Sequence, residues 1–508
     1  MSERESKREH EHERDSGNER ESERERDERE DPADRLDAAS VAVELPELNP
    51  RNTRQQWTRS TVTSIEESDG ETPDFVVGTG HGVVRAFDAD GTEAWSVDLG
   101  GMAVALEPTL VDDEPVVLVG TRGETAILAL LDAIDGGVRW THDVEADLGS
   151  ATKETLFYYP MTVALASDSA GTGASGVERG GHAAHDDPAA HDDEAEHDGP
   201  SGAEDAADRL YAATRRYERD GDDRQFESRV YAFEPDGSIA WTYDTDASPI
   251  ALDRRDDRLA VAYNRCHGDH QCGLVVLDAD SGELDLTWDP GTDGGRRVGD
   301  VALDGDGVVV TSHGDYRGYA LDREGGERWS IDLGRPMERE VETNEDDDPA
   351  ADVVYTYPNH VALAGDRALF VTGNTFPEAG RDTDARHPRE HTLTAVDRGR
   401  GTETWTTPIG GWLGGTGRTG STAAESAGVE AHGDHLFAVG QHFRDRDPET
   451  HGVRVVDHEI GAGERLRTDG VAVDVAAAAG RVATLEEPIS YHDEDGHRGA
   501  HRLHLRDV

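Results

Sequence analysis

Five short segments with a shared pattern decide the fold of this chain. They read VVRAFDADGTEAW over residues 83–95, LALLDAIDGGVRW over 128–140, VYAFEPDGSIAW over 230–241, YALDREGGERW over 319–329 and LTAVDRGRGTETW over 393–405. Each joins a short strand of alternating polarity to an acidic residue, a turn with Gly, and a Trp four residues after that Gly. Apolar alternation beside such turns is typical of antiparallel strands, so the segments predict repeated hairpins.

Further copies of the pattern lie between and after these five. Residues 275–286 and 453–466 repeat it without the Trp, and residues 501–508, HRLHLRDV, form a strand that lacks its turn. Trp57 lies 38 residues before Trp95, about one repeat length. We therefore expect the N-terminal strand around Trp57 to complete the last of eight units.

Such units must stack, because four strands cannot bury both of their faces alone. Stacking around an axis gives a propeller, and pairing the two chain ends leaves no unpaired terminal strand. The sequence therefore predicts an all-β, eight-bladed propeller of four-stranded antiparallel blades. The recurring Trp offers a large flat surface for packing between blades. The residues expected in this structural role are Trp57, Trp95, Trp140, Trp241, Trp329 and Trp405.

The pattern D-x-x-x-G-x-x-x-W, as in DAIDGGVRW and DRGRGTETW, resembles the repeat of quinoprotein-type (PQQ-like) β-propellers, over about residues 57–508. The resemblance implies the fold, whereas such repeats serve quinone-dependent dehydrogenases and assembly scaffolds alike. For the dehydrogenases it implies a quinone and a calcium ion inside the ring, and often an adjacent Cys-Cys pair. This chain has no adjacent pair, because five residues separate Cys266 from Cys272.

Two stretches contain almost nothing that could be buried. Residues 1–50 are expected to be a disordered, charged tail, because most of them are Arg, Glu, Asp, Ser and His. Residues 168–208 are mostly Gly, Ala, Asp, Glu and His without a strand pattern, which predicts a disordered insertion. The propeller is accordingly expected over residues 51–508.

The chain is strongly acidic, with 109 Asp and Glu against 50 Lys and Arg and a formal charge of −59. This charge argues against nucleic acid and anionic membranes as partners, because both carry the same sign. Two of the basic residues are lysines, and with the acidity this indicates a halophilic protein whose self-repulsion is screened by salt. Without an apolar run, a secretory signal or a disulfide framework, we expect a cytoplasmic protein.

Most of the extra sequence falls at one end of the predicted blades. With the strands of a blade named a to d from the axis outward, the b–c and d–a loops share one end. Long loops on one face of a rigid scaffold commonly carry binding sites. The long loops of this face are residues 217–227, 265–272, 335–353, 376–390, 410–428 and 444–451.

The mouth of the predicted channel on this face combines aromatic, Arg and His residues. Tyr-Pro pairs open two of the inner strands, and an Arg-Arg pair precedes a strand between them. Such groups could converge on a ligand, or the Tyr-Pro pairs could simply shape the start of each strand. The candidate ligand-binding residues are Tyr159, Arg296, Arg297, Tyr357, Asn359 and His360.

A second candidate site is the loop that contains both cysteines. Cys266, His267, His270 and Cys272 lie within seven residues and include the ligand types that zinc prefers. The spacing matches no common zinc pattern. The loop could alternatively hold a redox cysteine pair or be an ordinary connection.

Two low-complexity segments add weaker hypotheses. Residues 181–198 hold four His among acids and could bind divalent metals loosely, or be a solvated insertion. The Gly-rich residues 410–420 lack the signature of a phosphate loop. They are expected to form a flexible loop that presents Trp412.

The sequence favours a non-enzymatic, monomeric propeller that binds protein partners through the face with the long loops. The predicted closed ring and the absence of a coherent catalytic set support this interpretation, and no cofactor is expected. The alternative is a quinone- or metal-dependent oxidoreductase that uses the channel mouth, with PQQ or zinc. Such an enzyme would purify with a chromophore or with stoichiometric metal.

Overall fold

The computed structural model describes residues 40–52, 59–65, 72–167, 208–221, 223–292, 295–305, 307–341, 350–379, 385–409, 429–432, 435–440, 451–457, 459–461, 463–478, 480–491 and 496–507. These residues form mainly β-strands. A short α-helix, α1, spans Val144–Leu148. Its N-cap residue is Asp143, whose side chain accepts a hydrogen bond from the Ala146 amide. None of the helical structure in these ranges is long and apolar enough to cross a membrane.

The strands are short and follow each other closely along the chain. Before α1 they are β1 (Val41–Glu44), β2 (Arg51–Asn52), β3 (Thr61–Ser64), β4 (Phe75–Gly78), β5 (Val83–Phe87), β6 (Glu93–Asp98), β7 (Met102–Val111), β8 (Glu114–Arg122), β9 (Ile127–Asp132) and β10 (Val138–Asp143). In the middle of the chain they are β11 (Met161–Ser167), β12 (Leu210–Asp220), β13 (Asp223–Phe233), β14 (Ile239–Thr245), β15 (Ala247–Arg255), β16 (Arg258–Cys266), β17 (Leu274–Asp278), β18 (Leu284–Trp288), β19 (Val298–Asp304), β20 (Gly307–Ser312), β21 (Arg317–Asp322) and β22 (Glu327–Asp332).

The C-terminal part contains the longest strands and the last sheets. Its strands are β23 (Met337–Val341), β24 (Ala350–Ala364), β25 (Arg367–Pro377), β26 (Thr392–Asp397), β27 (Glu403–Pro408), β28 (Val429–His432), β29 (His435–Gly440), β30 (Gly452–Asp457), β31 (Gly463–Arg467), β32 (Val471–Ala478), β33 (Arg481–Glu487), β34 (Ile489–Ser490) and β35 (Arg502–Asp507).

Small antiparallel sheets in a propeller-like arrangement make up the described structure. Five sheets are four-stranded: β3–β6, β15–β18, β19–β22, β28–β31, and β32, β33, β35 with β1. The sequence predicted eight separate four-stranded sheets, and this finer count is not observed. Strand β23 adds a fifth strand to β24–β27, and β8 pairs with β11 through Arg122 and Met161, which joins β7–β14 into one eight-stranded sheet. Strands β2 and β34 form a short parallel pair.

The hydrophobic core lies between neighbouring sheets. Buried side chains of β3–β6 pack against those of β7–β9, and the β15–β18 sheet packs against β19–β21 in the same way. The first strands also contact each other in sequence, β3 to β7, β7 to β11, β11 to β15, β15 to β19 and β19 to β24, and β32 contacts both β28 and β3. Neighbouring sheets thus bury each other's apolar faces, which explains why the repeat units stack.

An N-terminal strand completes the last sheet, but it is not the strand predicted around Trp57. Strand β1 pairs antiparallel with β35, with Val41 opposite Leu505 and Val43 opposite Leu503. Alternating Val, Ala and Val in β1 give it one half-buried face. The expected boundary at residue 51 is therefore wrong, because β1 precedes it. Trp57, residues 1–39 and most of the 168–208 insertion lie outside the described residues.

The repeated Gly of one repeat unit contacts the repeated Trp of the preceding unit. The positive-φ Gly136 of one turn lies on the ring of Trp95 from the preceding sheet, and a Cβ atom at Gly136 would come within 2.7 Å of that ring. The same contact joins Gly237 to Trp140, Gly282 to Trp241, Gly401 to Trp329 and Gly461 to Trp405. The indole nitrogens of Trp95, Trp140, Trp241 and Trp329 donate to the carbonyl oxygens of Ala133, Pro235, Ala279 and Arg398 at 2.8–3.1 Å.

Candidate binding site at one end of the propeller

Two β-structures project from one end of the propeller. This is the end where the second strand of each unit finishes and the first strand begins. In β12 and β13, residues 216–220 pair with residues 223–227 and with no third strand of the described structure, because the pairing with β11 stops at Arg215 and the pairing with β14 stops at Ser228. We call this hairpin arm 1. Residues 337–341, 350–357 and 373–377 of β23, β24 and β25 extend in the same manner and form arm 2.

Four arginines on successive strand groups form a row at this end. Arg122 ends β8, Arg215 lies in β12, and the two pair with the same residue, Met161, on either side of β11. Arg265, near the end of β16, forms an antiparallel bridge with Arg296, which lies just before β19. We call these four residues the arginine row. In sheet order, Arg265 and Arg296 lie between the sheets that carry arm 1 and arm 2.

The charges of the row act on one another. Burial, followed by the charges of Arg122 and Arg265, lowers the pKa of Arg215 to about 9. Burial, followed by the charges of Arg296 and Arg224, lowers the pKa of Arg265 to about 10. Burial also lowers the pKa of Arg122 to about 10. All three side chains remain protonated at neutral pH, so the row concentrates positive charge.

Within the described residues, the row has no carboxylate partner. The Arg122 guanidinium donates to the carbonyl oxygen of Leu156 at 2.7 and 3.0 Å, and Arg215 donates to the Ser248 hydroxyl. The adjacent Arg216, by contrast, contacts two glutamates. Cations that are partly withdrawn from water without a counter-ion favour an anion from outside.

Aromatic side chains hold the exposed end of the row. The Arg296 guanidinium lies 4.6 Å from the centre of the Tyr357 ring, within the range of a cation–π contact. The Tyr357 ring in turn lies 5.3 Å from Tyr355, 5.5 Å from Phe376 and 5.6 Å from Tyr316. These rings form the base of arm 2. Because the Tyr357 ring is packed against these neighbours, its contact restricts the direction of the Arg296 side chain.

A second aromatic group supports arm 1. The buried Tyr217 ring lies 5.3 Å from Phe226 across the hairpin. It also lies 5.3 Å from Tyr158 and 5.4 Å from Phe157, both in the connection before β11. The ammonium group of Lys153 lies 4.4 Å from the centre of the Tyr158 ring. Both arms are thus fixed to the scaffold by aromatic packing.

The structure brings two of the six predicted mouth residues together, Arg296 and Tyr357. The Tyr159 hydroxyl instead donates to the carboxylate of the exposed Glu124 at 2.9 Å. The Arg297 side chain points to the cysteine loop, where it donates to the Gln271 side-chain oxygen at 3.2 Å. These two residues do not contribute to the row.

The remaining two predicted mouth residues, Asn359 and His360, occupy structural positions in β24. The side chain of Asn359 lies against Gly373, where a Cβ atom would meet its amide nitrogen at 2.3 Å. His360 Nδ1 lies 3.6 Å from the carboxylate of buried Asp300, which also accepts the Val361 amide at 2.9 Å. The Tyr-Pro and Asn-His residues lie within β24, where its pairing with β25 is irregular between Thr356 and His360.

The cysteine loop does not form the predicted four-ligand site. Both cysteines are free, and Cys266 Sγ lies 3.4 Å from the carbonyl oxygen of Cys272. Burial raises the pKa of the Cys266 thiol to about 12, which keeps it protonated and unreactive. His270 bonds the same carbonyl oxygen at 2.9 Å, while His267 stacks on Phe226. Among the described residues, no three His, Cys, Asp or Glu side chains converge on one point.

Sequence reasoning missed Arg122, Arg215 and Arg265, although the repeats contain a signal for them. Aligned on the end of the second strand, successive units read GTR at 120–122, ATR at 213–215, YNR at 263–265 and TSH at 311–313. A basic residue therefore recurs at one position of the repeat. Alignment on the Gly and Trp alone does not reveal it. The His-rich residues 181–198 and the Gly-rich residues 410–420 lie outside the described residues.

Comparison with known proteins gives one family match. Residues 80–328 match the family model described as outer membrane protein assembly factor BamB. No curated protein matches the chain.

Several solved structures are similar to the chain. BamB from Moraxella catarrhalis is 12% identical with a TM-score of 0.44, covering 92% of this chain and 98% of that one. Quinohemoprotein alcohol dehydrogenase from Comamonas testosteroni is 13% identical with a TM-score of 0.46, covering 89% and 76%. Sqt1 from Saccharomyces cerevisiae is 8% identical with a TM-score of 0.49, covering 91% and 100%. The family match confirms the resemblance found in the sequence: residues 80–328 carry propeller repeats of the PQQ-like, BamB type.

Proposed function

We propose that this protein is a non-enzymatic platform that binds a protein partner through the face carrying arm 1 and arm 2. The observation that carries the proposal is the pair of arms, which project from a rigid scaffold on one face only of the described structure. Large apolar side chains remain exposed there, Phe157 by 56% and Phe376 by 39%. Exposed aromatic residues beside packed ones are typical of interface anchors.

The scaffold supports this role because it is closed by its own chain. We infer that the ring contains eight repeat units, with two of them, β7–β10 and β11–β14, joined in the eight-stranded sheet. A density map of the protein from crystallography or electron microscopy would count the units directly. A ring of five units would contradict this count.

The oxidoreductase alternative rests on the PQQ-like repeats, and the described residues do not provide a ligand set for its calcium ion. Calcium requires several oxygen ligands in one place. Of the acidic residues nearest the row, Asp300 is committed to the Val361 amide, and no group of three candidate ligands exists in the described part of the chain. We therefore derive no reaction at this end. A purified protein with a quinone chromophore would overturn the platform proposal.

The platform is tested by affinity purification of the tagged protein from its own cells in concentrated KCl, with mass spectrometry of the proteins retained. Replacing Phe157 and Phe376 with Ser should reduce the retained partner at least about tenfold, because truncated interface anchors cost more than 1 kcal/mol each.

The matched control replaces Ile239 and Leu284 with Ser. These side chains are exposed by 43% and 53% and lie on the outer strands β14 and β18, away from the arms. Retention should be unchanged. Two results would contradict the proposal. One is equal loss of the partner in both double variants, and the other is retention of the same proteins with and without Phe157 and Phe376. We also propose a cytoplasmic location, which fractionation of the same cells would test.

A further inference from the structure

We infer that the arginine row binds the carboxylates of an acidic polypeptide segment that lies between arm 1 and arm 2. This inference rests on the proposed platform function and specifies the partner that the face would take. It depends on three features of the described residues: the absence of internal counter-ions, the position of the arginines on successive strand groups, and their graded access to solvent.

Within the described residues, several arginines near the row pair with carboxylates, whereas its four members do not. The chain has 109 acidic residues for 50 Lys and Arg, so an arginine on its surface readily finds a carboxylate. Arg216, next in sequence to Arg215, contacts Glu218 and Glu227, and Arg229 contacts Asp244. Within the described residues, Arg122, Arg215, Arg265 and Arg296 form no such pair. The four positive charges of the row are therefore not neutralised by salt bridges within the described residues.

The arrangement suits an extended ligand with several charges. The four arginines belong to four successive strand groups, β7–β10, β11–β14, β15–β18 and β19–β22 or the connection leading into it. A single small anion could reach neighbouring members, whereas a chain segment could follow the whole row. The planar guanidinium group pairs with a carboxylate through two parallel hydrogen bonds, which favours arginine over lysine for such contacts.

Access to the row decreases along it. Arg296 is exposed, Arg215 and Arg265 are half-buried, and Arg122 is buried. A segment that approaches from the arms would meet Arg296 and Arg265 first. Arg296 is already oriented by the Tyr357 ring, so little side-chain freedom is lost when it binds.

A polypeptide fits the charge balance better than a nucleic acid. A nucleic acid carries a phosphate at every nucleotide, and the net charge of −59 repels all those that extend past the row. A peptide can restrict its carboxylates to the few positions that face arginines. Its apolar side chains could contact Phe157 and Phe376 at the same time.

The test is fluorescence anisotropy of a labelled peptide in which Glu alternates with Ser, titrated with the full-length protein at several KCl concentrations. The double variant Arg265→Gln with Arg296→Gln should weaken binding at least about tenfold, since charge-assisted hydrogen bonds are lost. The wild-type affinity should also fall as KCl rises.

The control is the double variant Arg323→Gln with Arg400→Gln, which changes the net charge equally at exposed turns between third and fourth strands. It should bind the peptide as the wild type does. Circular dichroism would verify that both variants fold.

Three results would overturn the inference: no binding of the peptide by the wild type, equal weakening in both double variants, or tighter binding of a single-stranded oligonucleotide that depends on Arg265 and Arg296. If the peptide fails while a partner is still retained through Phe157 and Phe376, the platform proposal stands and only the charge of the partner is wrong. If neither is observed, both proposals fail.

Discussion

Gly136 shows how one residue type can be fixed by a neighbour in another sheet. Its φ of 73° is accessible to Gly at little cost, and the Trp95 ring occupies the space that a side chain would need. The recurring Gly of the sequence pattern thus has two structural roles: it forms the turn of its own hairpin, and it packs on the Trp ring of the preceding unit. This is the reason that the pattern predicts radial stacking as well as hairpins.

Gly136→Ala should destabilise the protein by about 2–4 kcal/mol, because a left-handed φ and a clash with Trp95 add together. Gly480 is the matched control: its φ is 71°, and no atom lies within 4 Å of an added Cβ. Gly480→Ala should cost about 1 kcal/mol, from backbone strain alone. Chemical denaturation in concentrated KCl would measure both. Equal losses would show that the Gly–Trp contact contributes nothing.

Asp474 is a half-buried residue whose ionised carboxylate is disfavoured. Burial raises its pKa to about 6, although it accepts hydrogen bonds from the Thr61 hydroxyl at 2.7 Å and the Val62 amide at 3.0 Å. A folded-state pKa above the ordinary value of 3.8 means that stability is lost as the pH rises from about 4 through 6.

Asp474→Asn should therefore raise the free energy of unfolding at pH 8, because a neutral acceptor can keep a hydrogen bond to β3 without the cost of a buried charge. At pH 4 the wild-type carboxyl is largely protonated, and the gain should disappear. Denaturant titrations of both proteins at the two pH values would measure this. A variant that is less stable than the wild type at pH 8 would show that the ionised group is required.

At the scale of elements, the joining of the chain ends depends on one carboxylate. Glu487 ends β33, and its buried side chain contacts Arg51 of β2 at 3.0 Å and also contacts Arg59, just before β3. Burial alone would raise the pKa of Glu487. The charges of Arg51 and Arg59 with their hydrogen bonds outweigh burial and lower that pKa to about 2.

Glu487→Gln should destabilise the protein by about 3–5 kcal/mol at neutral pH, because it removes the buried carboxylate that both guanidiniums contact. A folded-state pKa below the ordinary 4.5 stabilises above that pH, so the difference from wild type should shrink as the pH falls from 4.5 towards about 2.

Glu44→Gln is the matched control for the closure, because Glu44 pairs with Arg502 between β1 and β35 on the surface, at 2.6 Å. Its effect should stay below about 1 kcal/mol. If the two variants lose equal stability, the buried contact is not the one that joins the chain ends.

Much of the element structure could be predicted from the sequence, and the parts that could not have physical reasons. Hairpins and the Gly–Trp contacts follow from local turn chemistry and spacing. The strand that closes the last sheet was wrongly placed at Trp57, because this residue matches the Trp of the repeat. The strand that pairs with β35 is β1, which contains Val43. A two-residue apolar alternation inside a charged tail is too short to be distinguished by pattern alone.

The same limit applies to the candidate site. The sequence could predict that Arg296 and Tyr357 lie close together, because they belong to consecutive units of the repeat. Arg265 meets Arg296, and Arg122 and Arg215 meet on either side of Met161, through strand ends that are distant in sequence. The aromatic contacts of arm 1 likewise depend on a hairpin length that turn signals do not fix.

At the scale of the whole molecule, the charge of −59 sets the conditions under which the fold is stable. With 50 Lys and Arg for 109 Asp and Glu, more than half of the acidic residues have no basic partner, so mutual repulsion opposes the compact state unless salt screens it. Reducing KCl from about 2 M to about 0.1 M should lower the thermal midpoint of unfolding, since the Debye length rises from below about 3 Å to about 10 Å. Differential scanning calorimetry would measure this. A midpoint that is independent of KCl would contradict the halophilic interpretation.

Strand β1 has a consequence for how the molecule is made. During synthesis, residues 41–44 leave the ribosome first, and their partner β35 is among the last segments to emerge. Until then β1 has no place in a sheet, and its hydrogen-bonding groups are available to the β35 of another newly made chain. Crowded translation of this protein would therefore favour molecules that exchange their first strands, and slow release from the ribosome would favour the self-closed form.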